Sequence, residues 1–156
     1  MNDYSLIMQW DAGEFRTLFT GDLNAPLGNE LAKHKHFKAD ILKVPHHGVT
    51  SIAPNSFFET VNPSLNMFPS TRTLWNHPRG QRVKGWTLNS DIYYCNNGLN
   101  GNVILSIQND SITGEIEQET NKCPNGIMNI VPGQKIDEVN QNSLNLSPTI
   151  NILLSE

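Results

Sequence analysis

Three short segments carry side chains able to do chemistry. Asp22 follows Thr20-Gly21, and His46-His47 follow Lys43-Val44-Pro45 and precede Gly48. His77 lies in the run Trp75-Asn76-His77-Pro78-Arg79. Carboxylate and imidazole together are the donor types that zinc and manganese accept. A carboxylate on a glycine-flanked turn can approach a metal without backbone obstruction, although Asp is also an ordinary capping and turn residue. Adjacent histidines on an extended segment point in opposite directions, so one can ligate while the other faces substrate or packs behind. The aromatic, imidazole and guanidinium of residues 75–79 could line a pocket for a phosphate or carboxylate.

The remaining candidates are weaker. His34 and His36 sit among lysines where a helix is expected to end, a place that favours solvated cations. Cys95 falls inside an expected strand with no histidine nearby in sequence, which argues against a nucleophile. Cys95 and Cys123 allow at most one bridge and lack CxxC spacing. No GxGxxG, P-loop, GxSxG or HExxH pattern occurs.

These residues need elements to hold them. Ser5–Trp10 and Phe15–Thr20 read as strands joined by a turn at Asp11-Ala12-Gly13. Pro26 to about Lys35 predicts a short helix, Ala39–Val44 a strand ended by Pro45, and Pro54–Val61 a helix with proline in its first turn. Leu65–Phe68 predicts a further strand, and residues 70–90 a polar, irregular stretch. Two or three strands follow, at Ile92–Cys95, Asn102–Gln108 and Ser111–Glu117, the last two joined by a hairpin turn at Asn109-Asp110. The order predicts an α/β protein whose candidate residues sit where strands hand over to loops.

Composition narrows the classes. The chain has 156 residues, which suits one domain. Net charge is −4, with no long basic block, against a broad electrostatic grip on nucleic acid. No apolar run approaches the roughly 20 residues that cross a bilayer, and no signal peptide is visible, so the default expectation is cytoplasmic. Asparagine is unusually common, at 20 residues, and seven of them fall in 121–156. Residues 1–119 are therefore read as one α/β unit and 120–156 as an asparagine-rich tail or small β appendage.

Taken together, Leu18-Phe19-Thr20-Gly21-Asp22-Leu23 and Ala39-Asp40-Ile41-Leu42-Lys43-Val44-Pro45-His46-His47-Gly48 are more specific than any one segment. Asp22 and His47 stand 25 residues apart. The pattern over about residues 2–108 resembles the C-terminal half of a metallo-β-lactamase-fold hydrolase. It is most similar to the competence-type DNA-uptake proteins and related phosphodiesterases, including phosphorylcholine esterases. Asn76-His77-Pro78 resembles a loop of that branch. The resemblance implies half of an αββα sandwich and a site for two metal ions, zinc or manganese. Asp22 would be the bridging carboxylate and His47 the last ligand. His46 would face the substrate as a phosphate contact or proton donor, and His77 would line the substrate side.

The family's His-x-His-x-Asp-His motif occurs nowhere in the chain. Two protein ligands fall short of the three that a catalytic zinc normally takes. The expectation is therefore a partial or split hydrolase, inactive alone and completed by an N-terminal half in cis or in trans. A phosphoester is the expected substrate, with nucleic acid possible and lactam hydrolysis not expected. The alternative is a degenerate, non-catalytic binding or scaffold module, oligomeric if the open sheet is covered by a second copy. A third reading is an unrelated α/β binding domain with coincidental histidines.

Overall fold

A computed structural model describes residues 5–49, 53–88, 92–108, 110–120, 122–133 and 151–154. The chain starts with an antiparallel hairpin of β1 (Met8–Ala12) and β2 (Phe15–Phe19). The first strand starts three residues later and ends two residues later than the sequence predicts. Asp11 and Ala12 pair with Arg16 and Phe15 instead of turning, and the reversal falls on Gly13-Glu14, with Gly13 at φ 60°. Three strands then join in parallel: β3 (Ile41–Lys43), β4 (Leu65–Phe68) and β5 (Tyr93–Asn96). The sheet order β1-β2-β3-β4-β5 follows the chain.

That order dictates the layers. Each parallel strand is added on the same side of its predecessor, and right-handed crossovers then place every connecting helix on one face. The helices are α1 (Ala25–Leu31), α2 (Asn55–Val61), α3 (Arg72–Trp75) and α4 (Gln81–Leu88). Strand alternation divides the core accordingly. Leu18, Leu42 and Phe68 turn towards the helices and pack with Phe57, Phe58, Val61, Trp75 and Val83. Phe15, Ile41, Leu65, Met67 and Cys95 turn the other way. Fully burying one such Phe or Leu contributes about 1.5–3 kcal/mol.

The second face is covered by an antiparallel sheet of β6 (Val103–Gln108), β7 (Ser111–Ile116), β8 (Gly126–Met128) and β9 (Asn151–Leu154), in the order β8-β7-β6-β9. Val103, Leu105, Ile107 and Ile112 turn inward against the first sheet. Gln108 pairs with Ser111 at the expected hairpin, of whose two linking residues Asn109 lies outside the described residues. Before β6 comes the short helix α5 (Asn97–Asn100). The segment after Glu119 joins the body at several points. Cys123 is bonded to Cys95, the Lys122 carbonyl accepts from the Tyr94 amide (3.0 Å), and the Gly133 amide donates to the buried Asp40 carboxylate (2.5 Å). The architecture is α/β, with one mixed sheet between a helix layer and a second sheet.

Residues 70–88 depart from the sequence reading of 70–90 as irregular; residues 89 and 90 lie outside the described residues. Instead of an irregular stretch, residues 70–88 hold α3, a single turn at Pro78–Gly80 and α4. The Thr71 side chain caps α3 by accepting from the Leu74 amide (3.2 Å). Val83 is buried in α4, and Trp86 lies 5.0 Å from the Phe58 ring. The first helix is also shorter than predicted, ending at Leu31, with a separate turn at Lys35–Phe37.

Candidate functional site

Because β2, β3, β4 and β5 are parallel, the loops that follow them share one edge of the sheet. This is the edge at which open α/β sheets place their sites. After β2 come Thr20-Gly21-Asp22, and after β3 Pro45–Gly48. Pro69-Ser70 follow β4, and α5 follows β5. Asp22, His46 and His47 are thus brought to the same edge although their positions in sequence are separate.

His46 and His47 are not extended, as the sequence predicts, but form a left-handed turn. Their φ angles are 49° and 57°, followed by Gly48 at 79°. A left-handed conformation costs roughly 1–2 kcal/mol per non-glycine residue. Gly48 has a second reason to lack a side chain, since a Cβ there would lie 2.9 Å from the Phe68 ring. The two imidazoles consequently do not splay to opposite faces; their ring centres are 6.4 Å apart. Strained backbone of this kind concentrates at functional sites.

Each ring has a distinct chemical setting. His47 is exposed, and its Nδ1 faces the Pro69 carbonyl oxygen at hydrogen-bonding range. A carbonyl only accepts, so Nδ1 carries the proton and the neutral ring keeps its lone pair on Nε2. Metal-ligating histidines usually have this arrangement, one nitrogen tethered to a carbonyl and the other free to coordinate. Nδ1 of His46 is buried and has no hydrogen-bond partner. In His77 the pattern reverses. Its Nδ1 accepts from the Arg79 amide (3.1 Å), so the neutral ring carries its proton on Nε2 and offers a donor, not a ligand. The His77 loop packs beside the histidine turn, because a Cβ on Gly80 would lie 3.5 Å from the Gly48 carbonyl oxygen.

The loops after β2 and β3 are bonded to one another. The Gly21 carbonyl accepts from the His46 amide (3.1 Å) and from Lys43 Nζ (2.9 Å), and Thr20 Oγ1 donates to the Lys43 carbonyl (2.7 Å). Burial pushes the Lys43 ammonium below the usual lysine range, and the negative charge of Asp22 opposes that shift. Lys43 is the residue that reading the sequence missed. Its signal is a lysine inside the apolar run Ile41-Leu42-Lys43-Val44.

The donors fit a metal in kind, as one carboxylate and one imidazole with a free lone pair beside a second, unpartnered imidazole nitrogen. Their number is short: among the described residues no three His, Cys, Asp or Glu side chains come together to hold an ion. His34 and His36 lie away from this edge, exposed, with ring centres 5.4 Å apart. Cys95, fully buried and bonded to Cys123, is no nucleophile in this state. Among the described residues no helix is long and apolar enough to cross a membrane. No protein-family model matches the chain, and a search of the curated proteins finds no match.

Proposed function

We propose that this chain carries one side of a metal-dependent hydrolase site of phosphodiesterase type. The carrying observation is the His47 ring, tethered through Nδ1 to the Pro69 carbonyl with Nε2 free, on the sheet edge that also bears Asp22. In this reading Asp22 and His47 hold zinc or manganese, His46 faces the substrate phosphate, and the Nε2 proton of His77 is offered from the flanking loop. A bound metal pair supplies Lewis acidity and lowers the pKa of water at the site. The remaining ligands come from a further polypeptide segment, in cis or in trans. The edge strand β1 and the residues just before it are suited to receive it, since Met8 on β1 is 50% exposed, Leu6 ahead of it is 80% exposed, and Leu6 adjoins Gly21.

A second reading, a non-catalytic binding module built on the same half-fold, is favoured by the shortage of assembled donors. Elemental analysis of the purified chain after loading with zinc or manganese separates the two. The hydrolase reading expects weak metal uptake by the chain alone, tight uptake and phosphodiesterase activity once a segment bearing His-x-His-x-Asp-His is supplied, and loss of both in Asp22→Ala and His47→Ala. The same metal content in wild type and both variants, with no activity on completion, would leave the binding-module reading.

A further inference from the structure

We infer that Lys43 is the positioning residue of this half-site, its ammonium fixing the Asp22 loop against the His46-His47 turn. The inference rests on the metal-site reading above. Three bonds join the two loops, and Lys43 is a partner in two of them. Its Nζ donates to the Gly21 carbonyl (2.9 Å), and its own carbonyl accepts from Thr20 Oγ1 (2.7 Å). The third bond, His46 amide to Gly21 carbonyl (3.1 Å), shares its acceptor with Lys43. One carbonyl oxygen with two lone pairs is therefore occupied from both sides, by the turn that bears the histidines and by the lysine.

The placement is costly unless it does something. Lys43 is half-buried on a strand, in register with Phe19 and Met67, where an apolar side chain would pack without desolvating a charge. Among the described residues it makes no salt bridge, and its hydrogen bond goes to a neutral carbonyl. Yet its charge lies within electrostatic reach of Asp22. Gly21, at φ 50°, is the pivot through which the lysine reaches the next residue, the carboxylate. The histidine turn is backbone-strained, so it needs an external bond to hold it, and Gly21 supplies that bond.

The test compares the full wild-type chain with Lys43→Met and Lys43→Arg in three measurements. These are zinc affinity by competition with a chromophoric chelator, hydrogen exchange of the His46 amide by NMR, and Tm. Lys43→Met is expected to lower zinc affinity about 10–100-fold, the usual cost of losing an outer-shell partner. His46 amide exchange is expected to rise about tenfold while Tm moves by only a few degrees, and Lys43→Arg should restore most of both losses. Unchanged zinc affinity and unchanged His46 exchange in Lys43→Met would overturn the inference. A wild-type chain that takes up no zinc even with the His-x-His-x-Asp-His segment supplied overturns the metal-site reading instead, and the His46 amide then decides the role of Lys43 alone. Should Lys43→Met fail to fold, Lys43→Gln is judged by the same thresholds.

Discussion

Replacing His46 and His47 together by glycine is expected to give a more stable protein than replacing both by alanine, the opposite of the usual order. Both substitutions remove the imidazoles and the contact with the Pro69 carbonyl, so those losses cancel in the comparison. What remains is the backbone. At φ 49° and 57° a Cβ costs roughly 1–2 kcal/mol per residue, which glycine escapes. Glycine gives back about 0.5–1 kcal/mol of unfolded-state entropy at each position. The net advantage of Gly over Ala is about 0.7 kcal/mol per site, or roughly 1.5 kcal/mol for the pair. For a chain of this size that corresponds to about 3–6 °C in Tm. Glu59, exposed on α2, is the control: there Ala should exceed Gly by about 1 kcal/mol. Urea unfolding at fixed pH, read by circular dichroism, gives both differences. Alanine equal to or better than glycine at 46 and 47, with the normal order at 59, would mean the histidine turn is not left-handed. The strain argument for the site would then fall.

Three further outcomes are expected. Asn66 is fully buried on β4 with neither side-chain polar atom hydrogen-bonded, so Asn66→Leu should raise stability by about 1–2 kcal/mol in urea unfolding. Reducing Cys95–Cys123, which closes a separation of 28 residues, should lower stability by about 3–4 kcal/mol, measured by the same unfolding with and without reductant. Burial raises the Tyr94 phenol above its ordinary value of 10.0, so the folded state holds that proton after the unfolded state has lost it. The resulting stabilisation is present below pH 10 and lost as pH climbs through the folded value. Tyr94→Phe, which keeps the stack on Trp75, should therefore gain on wild type progressively above pH 10 in thermal melts.

Much of the layer structure is written in local pattern. Leu65–Phe68 reads as a strand from four residues bounded by Ser64 and Pro69, and it is one. The Asn55–Val61 helix is legible from proline at its start and from Phe57, Phe58 and Val61 on one face. The α3–α4 region is not, because Trp75, Val83 and Trp86 are too sparse, and broken by His77-Pro78, to show a helical period. That Asp22 and His47 are candidates by residue type, each beside a glycine, is legible in the sequence, and so is their placement after strands. The left-handed histidine turn is not, since two consecutive non-glycine residues there contradict local preference and are held by tertiary bonds. Nor does a sequence announce a backbone acceptor such as the Pro69 carbonyl, whose importance comes only from where β4 ends. Lys43 is visible but uninterpretable until the Gly21 carbonyl is found at its tip.

The agreement between strand order and chain order in the first sheet bears on how the protein is made. Each of β2 to β5 docks beside the strand synthesised just before it, so this sheet can be laid down progressively as the polypeptide leaves the ribosome. The second sheet follows the same rule through β6, β7 and β8, but its last strand does not, because β9 pairs with β6 only after position 150 has emerged. The tie from Gly133 back to Asp40 spans 93 residues and also closes late. The apolar underside of the first sheet can thus be covered as soon as β6 and β7 follow β5, whereas the outer edge of β6 stays unpaired until β9 arrives.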